Sequence, residues 1–183
     1  MASLTDRMLR AARLDANLYE EVEADTTAMG QAMTVVILSS VAGGIGASAA
    51  NGIGGLIGGA VASLIGWYIW AFLTYYIGTK WLPEPTTEAD VGQMLRTLGF
   101  SSAPGIVRLA GIIPGLGTIV LITAPIWMLC AMVVAVRQGL DYTSTGRAVV
   151  VCLIGFVVQI VVILAVFTAL GLMVGSQPGP PAA

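Results

Sequence analysis

Apolar runs of membrane-crossing length are the feature that most constrains what this chain can fold into. A helix needs about 20 consecutive apolar residues to cross a hydrocarbon core ~30 Å thick. The 183-residue sequence contains several such runs, and only 10% of its residues are charged, against about 25% in soluble domains. The sequence therefore predicts one all-α integral membrane domain, with the lipid bilayer as its main solvent.

The runs divide the chain into five predicted transmembrane helices. They are residues 28–50, 52–77, 98–113, 117–137 and 147–174 of a membrane domain over residues 27–174. Residues 1–26 form a cytoplasmic region, and the Pro-rich residues 175–183 are expected to be a disordered tail. The third run is the shortest and ends at Pro114, so a re-entrant segment is the alternative to a third crossing.

An amphipathic helix is predicted over residues 3–23, because apolar side chains recur there at steps of three and four. These side chains are Leu4, Met8, Ala11, Leu14, Leu18 and Val22. Arg7, Arg10 and Arg13 lie elsewhere on the circumference of this helix. A basic amphipathic helix is expected to lie on an anionic membrane surface. A helix packed against a protein surface is the alternative.

The basic residues test the number of crossings, because Lys and Arg near span ends tend to stay on the cytoplasmic side. Five crossings from a cytoplasmic N-terminus place all of them inside except one, which lies within a span. The inside set is Arg7, Arg10, Arg13, Lys80, Arg96, Arg137 and Arg147. If the third segment did not cross, Arg137 and Arg147 would move outside. Five crossings with an extracytoplasmic C-terminus are therefore predicted.

Small residues recur every four positions at the start of the second predicted span. One row is Gly54, Gly58, Ala62 and Gly66, and a neighbouring row is Gly55, Gly59 and Ser63. Small residues at this spacing share a helix face and let another helix backbone approach closely. The two rows are therefore predicted helix-packing surfaces, within this chain, between copies of it or with another membrane protein.

Arg108 is the exceptional polar residue, because it lies within a predicted span. A cation there costs at least ~2.5 kcal/mol unless a partner or water compensates. Candidate partners are Gln159 in the fifth span, carbonyl groups freed near Pro104 and Pro114, and lipid headgroups. Two interpretations stay open: a structural arginine that binds carbonyls, or a residue on the path of a solute or ion.

Other functions find no support in the residues. The chain has no histidine, the commonest general base and metal ligand, and no Asp or Glu lies within a predicted span. Cys130 and Cys152 fall in apolar runs, where cysteines act as small hydrophobic residues. The glycines match no nucleotide-binding loop, and no basic patch indicates nucleic acid. No catalytic site, cofactor or metal site is predicted.

The ordered set of motifs resembles the Yip family of Rab-interacting membrane proteins, in its prokaryotic form. The motifs, in order along nearly the whole chain, are LDANLYEEVEADTTAMGQA, GGLIGGAVASLIGW, LRTLGFSSAPGIVRLAGIIPGLG and AVRQGLDYTSTGRAV. The resemblance implies five helices and a cytoplasmic N-terminus. Eukaryotic relatives act as membrane scaffolds that engage prenylated Rab GTPases through a longer N-terminal region. Only about 25 residues precede the spans here, so a Rab-type GTPase is not inferred as a partner, and no family site residue is transferred.

Two functional hypotheses follow. The first is a non-enzymatic integral membrane scaffold or adaptor, or an accessory subunit of a membrane complex, which packs against a partner or a second copy. The alternative is a small transporter or channel with Arg108 on the pathway. The prokaryotic form of the resemblance predicts the bacterial cytoplasmic membrane as its location.

Overall fold

The computed structural model describes residues 2–46 and 52–169, and within them the regular structure is helical throughout. Its α-helices are α1 (Leu4–Ala12), α2 (Ala16–Ala24), α3 (Met29–Gly46), α4 (Gly52–Tyr76), α5 (Val91–Phe100), α6 (Gly117–Gly139) and α7 (Thr145–Ala169). A short 3-10 turn, Thr26–Ala28, leads into α3, and a π-helical turn, Ile77–Trp81, continues α4. A longer 3-10 helix, Ala103–Ile112, separates α5 from α6 and is called the 3-10 segment below.

Four helices in the described part of the chain are long and apolar enough to cross a membrane. They are Thr26–Gly46, Gly54–Trp81, Gly117–Gly139 and Thr145–Val162. These helices coincide with four of the five predicted spans, which confirms an all-helical fold with several candidate membrane spans. The predicted ends at 47–50 and 170–174 and the tail at 175–183 lie outside the described residues.

The third predicted span, 98–113, is not a single α-helix. Helix α5 ends at Phe100, and the 3-10 segment begins at Ala103 after two intervening residues. Pro104 explains the change, because it has no N–H to donate to the carbonyl four residues earlier and its ring disfavours a continuous α-helix. The amide of Gly105 instead donates to the carbonyl oxygen of Ser102 at 2.9 Å, the three-residue spacing of a 3-10 helix.

This composite segment runs beside α3 in the same direction. A methyl group at Gly99 would lie 2.7 Å from Cβ of Ala32, near the start of α3. One at Gly105 would overlap Oγ of Ser39, and one at Gly111 would lie 2.9 Å from the carbonyl oxygen of Gly46. Glycines therefore bring the two backbones together from the beginning of α3 to its last residue.

Helix α6 returns antiparallel to the composite segment. The turn before it uses Gly115 at a φ of +88°, a left-handed conformation that glycine adopts without steric cost. At the start of α6, a methyl group on Gly117 would lie 3.5 Å from the carbonyl oxygen of Gly111. At its end, one on Gly139 would lie 2.9 Å from Oγ1 of Thr97. Helix α6 thus covers both α5 and the 3-10 segment.

The predicted single helix over residues 3–23 is wrong, because the structure has two helices there. Leu14 between them has a φ of +61°, and the side chain of Asp15 accepts from the amide of Asn17 as the N-cap of α2. The turn folds α2 back toward α1. Trp127 of α6 holds the end of α1, since its Nε1 donates to the carbonyl oxygen of Ala12 at 2.7 Å.

The core lies at the end of the bundle where α2 and α5 meet α4 and α6. The largest fully buried side chains there include Tyr19, Met94, Phe100, Ile77 and Leu140. By contrast, many apolar side chains of the four long helices face outward, such as those on α6 and α7. An apolar perimeter of this kind is what a membrane domain presents to lipid.

Candidate functional site

Arg108 lies on the 3-10 segment and faces α3. Its Nε donates to the carbonyl oxygen of Gly105 at 3.0 Å, and its Nη2 donates to the carbonyl oxygen and Oγ of Ser39 at 2.6 and 2.9 Å. Gly43 leaves room for the guanidinium, because a methyl group there would lie 2.8 Å from the central guanidinium carbon. Of the predicted partners, the structure selects carbonyl oxygens and not the amide of Gln159.

The charge of Arg108 has no carboxylate partner among the described residues. All ten Asp and Glu residues of the sequence lie within those ranges, and the ion pairs there belong to Arg7, Arg10 and Arg147. The Nη1 group also donates to no oxygen in that part of the chain. Three oxygens thus hold the side chain in place, while its positive charge stays unneutralised.

A cavity of about 810 Å³ adjoins Arg108 between α3, α4, α6 and α7. The polar residues of its wall, besides Arg108, are Ser39, Ser40, Ser63, Ser101, Ser102, Gln159 and the two indole residues Trp67 and Trp70. The rest of the wall is apolar and includes Met128, Met132 and Phe156. Two wall residues, Leu121 and Leu129, are 73% and 43% exposed. The cavity therefore opens on the apolar perimeter of the bundle.

A second, smaller cavity of about 310 Å³ lies on the outer face of α4 and α7. Its walls are Tyr68, Ile69, Phe72, Leu73 and Val162, and it shares Gln159 with the larger cavity. We call it the outer groove. Gln159, which the sequence singled out as an intramembrane polar residue, therefore lies where the two spaces adjoin.

Trp70 forms part of the wall of the larger cavity. It is 8% exposed, and its ring packs against Phe156 with 4.6 Å between ring centroids. The neighbouring Trp67 donates from Nε1 to the carbonyl oxygen of Leu95 at 3.0 Å, whereas Nε1 of Trp70 has no hydrogen-bond partner in the described structure. Buried polar groups without a partner are uncommon. The ring of Trp70 lines the space beside Arg108, while its Nε1 atom is itself buried.

The two predicted small-residue rows have different surroundings. From the second row, Ser63 donates to Oγ of Ser40 on α3 at 2.9 Å, and a methyl group on Gly59 would lie 4.0 Å from the same oxygen. In the first row, methyl groups on Gly54, Gly58 or Gly66 would meet no atom within 4 Å. Gly66 lines the large cavity. Gly55 and Ala62 are exposed.

The predicted membrane-surface arginines are mostly engaged inside the N-terminal hairpin. Arg7 is 3% exposed, and its guanidinium pairs with Glu21 at 2.9 Å and with Asp25 at 2.7 Å. Arg10 pairs with Asp15 and Glu21 at 2.8 and 2.5 Å. Only Arg13 of the three is exposed. The apolar periodicity of the sequence did not predict this cluster, because it carries no information on which charged residues form ion pairs across a turn.

The same cluster shifts the acidity of its carboxyl groups. Hydrogen bonds from Thr27 and Arg7 lower the pKa of Asp25 to about 2. Hydrogen bonds from Arg10 and then Arg7 lower the pKa of Glu21. Both carboxylates therefore stay charged over the physiological range, and the hairpin is held by permanent ion pairs.

A protein-family model with the description Yip1 domain matches residues 21–176. The chain belongs to the Yip1 domain family. This match confirms the family resemblance of the sequence motifs. No curated protein and no solved structure matches the chain significantly. The Yip1 domain here begins within α2 and includes the four long helices, Arg108, Gln159 and both cavities. Helix α1 precedes it, so the ion pairs of Arg7 and Arg10 join α1 to the first residues of the domain.

Proposed function

We propose that this Yip1 domain protein is a non-enzymatic integral membrane scaffold or an accessory subunit of a membrane protein complex, located in the bacterial cytoplasmic membrane. The observation that supports this role is the first small-residue row, Gly54, Gly58 and Ala62, on the outside of α4. These residues are exposed, and the described residues leave open space above both glycines. Small residues in this pattern allow close helix contacts in membranes, so the row fits a helix from a second copy or a partner.

Five crossings, with a cytoplasmic N-terminus and an extracytoplasmic C-terminus, are part of the proposal. Helix α5 and the 3-10 segment have ten residues each. The four residues of α5 after Arg96, at about 1.5 Å each, and the 3-10 segment, at about 2.0 Å per residue, reach roughly 26 Å together, close to the ~30 Å thickness of a hydrocarbon core. Their parallel course beside α3 and the antiparallel return of α6 support a third crossing. This arrangement also keeps Arg137 and Arg147 with the N-terminal arginines on the cytoplasmic side.

Replacing Gly58 by leucine tests the scaffold role. We expect Gly58→Leu to reduce the copy number, or to release a stoichiometric membrane partner, because its side chain would keep the incoming helix away. The fold should persist, since a methyl group at Gly58 meets open space. The measurement is particle mass and protein identity after extraction in a mild detergent. Val157→Leu, at an exposed position of α7, is the control and should behave like the wild type. A wild-type monomer without a partner would contradict the proposal.

A small transporter or channel with Arg108 on the pathway is the second candidate function. The observation that favours it is the cavity beside Arg108, which opens on the perimeter of the bundle. The test is flux of anions and small solutes into liposomes that contain the purified protein. We expect wild-type flux and a loss of at least roughly tenfold in Arg108→Leu, the scale of a lost charged hydrogen bond. Equal flux through both proteins, or none through either, would argue against this function for the solutes measured.

A further inference from the structure

We propose that the cavity beside Arg108 and the outer groove together bind one anionic lipid of the surrounding bilayer. The lipid's charged headgroup lies against Arg108, and one acyl chain follows the apolar wall toward the outer groove. The lipid can occupy this site whether the protein is a scaffold or a transporter.

The positive charge of Arg108 in the cavity wall favours an anionic occupant. Arg108 is the charged residue of the cavity wall, and the wall contains no Asp or Glu among its described residues. Three hydrogen bonds fix the side chain against Ser39 and Gly105, while Nη1 has no protein acceptor in the described chain. A phosphate or carboxylate offers both the missing negative charge and the missing acceptor. A neutral apolar occupant would leave the cation unpaired, which is costly at membrane depth.

The remaining polar groups of the wall fit the same ligand. The hydroxyls of Ser40 and Ser63 lie beside the cavity and are hydrogen-bonded to each other at 2.9 Å. Gln159 also lines the cavity, and its side-chain amide can donate hydrogen bonds. Phosphate and ester oxygens of a lipid are hydrogen-bond acceptors. The wall thus offers guanidinium, hydroxyl and amide donors to a molecule rich in acceptors.

The shape and position of the two spaces favour a lipid over a small soluble anion. Beyond its polar groups, the cavity wall is formed by Met128, Met132 and Phe156, which a free phosphate would not contact. Gln159 connects the cavity to the outer groove, whose walls are Phe72, Leu73 and other apolar residues on the perimeter. An acyl chain can lie in such a groove, while the headgroup reaches the buried cation. Only an amphiphile uses both parts of the site.

The experiment measures lipid retained by the full-length protein after purification in mild detergent. The protein is equilibrated with mixed micelles that contain equal amounts of phosphatidylglycerol and phosphatidylcholine, and bound lipid is counted by native mass spectrometry. We expect about one phosphatidylglycerol per chain and a preference over phosphatidylcholine of at least ~10-fold, the scale of one charge-assisted hydrogen bond. Arg108→Gln should remove the preference, and Arg13→Gln should keep it, because Arg13 is exposed and is not part of the cavity wall.

A second variant tests the space without changing its charge. Gly66 lines the cavity, and a methyl group there meets no atom within 4 Å, so Gly66→Phe should fill the site and displace the lipid. Val157→Phe, at an exposed position outside both cavities, should retain it. Equal retention of the two lipids by the wild type, or equal losses in Arg108→Gln and Arg13→Gln, would overturn the proposal. If Arg108→Gln does not fold, unchanged retention by Gly66→Phe overturns it instead. Retention of inorganic phosphate without lipid would identify a soluble anion as the occupant.

Discussion

Gly46→Ala is expected to destabilise the protein by about 2–3 kcal/mol, the upper part of the range for overpacking. A methyl group at Gly46 would overlap the backbone carbonyl oxygen of Arg108, and that oxygen cannot move aside by a change of rotamer. The 3-10 segment would have to separate from α3. For a chain of this length the melting temperature should fall by roughly 5–10 °C, measured on the detergent-solubilised protein.

Gly30→Ala is the matched control, because Gly30 belongs to the same helix and a methyl group there meets no atom within 4 Å. Alanine is the better helix former by about 1 kcal/mol, so this variant should be as stable as the wild type or slightly more stable. Equal losses in both variants would show that the contact between α3 and the 3-10 segment does not limit stability. A loss confined to Gly46→Ala would establish that contact as a structural requirement of the domain.

The long helices were predictable because one strong signal, continuous apolarity, determines both their type and their ends. The predicted second span, 52–77, corresponds to α4 at Gly52–Tyr76, and the predicted fourth span, 117–137, corresponds to α6 at Gly117–Gly139. Pro125 lies inside α6 without ending it. In such segments, local composition and the demand for internal backbone hydrogen bonds point to the same structure.

The N-terminal region was not predictable in the same way, because its structure depends on contacts between distant residues. Apolar periodicity continues through Leu14, whereas the pairing of Arg7 with Glu21 and Asp25 stabilises α2 folded back toward α1. Arg96 adds another such contact. It is 6% exposed, and it donates to the carbonyl oxygens of Val22 and Glu23 at the end of α2. A cation at a helix C-terminus is favourable, but the sequence does not indicate which helix it will meet.

Two residues of the candidate site could be identified from the sequence, but the cavity that they share could not. Arg108 was conspicuous as a cation inside an apolar run, and Gln159 as an amide inside another. Their common cavity depends on six separate helical segments, and on glycines such as Gly43 and Gly66 whose missing side chains create the room. Sequence patterns describe the faces of single helices. A cavity forms where the side chains of several packed helices do not fill the space between them, and the pattern of one helix does not show this.

The buried carboxyl group of Glu23 should make the free energy of unfolding depend on pH. It is 9% exposed at the end of α2, and burial, with a smaller contribution from Asp141, raises its pKa to about 7. Arg96 acts in the opposite direction, while Glu20 and Asp90 add to the rise. The folded protein therefore holds a proton on Glu23 between pH 4.5 and about 7, where an unfolded chain has released it. Stability should fall as pH rises through this window, since the folded state binds more protons there.

Glu23→Gln removes the cost of ionising this buried carboxyl group. It should therefore raise the free energy of unfolding at pH 8 by up to roughly 3 kcal/mol, with little effect at pH 4.5. The measurement is the melting temperature of the detergent-solubilised variant and wild type at both pH values. Glu88→Gln, which changes an exposed carboxyl group, is the control and should shift neither value appreciably. A Glu23→Gln effect of equal size at pH 4.5 and pH 8 would show that shape or hydrogen bonding, and not ionisation, is responsible. A pH-dependent gain would instead identify the junction of α2 with α5 as the part of the domain that responds to protons, although Glu21 and Asp25 of the permanently charged cluster lie only two residues away in sequence.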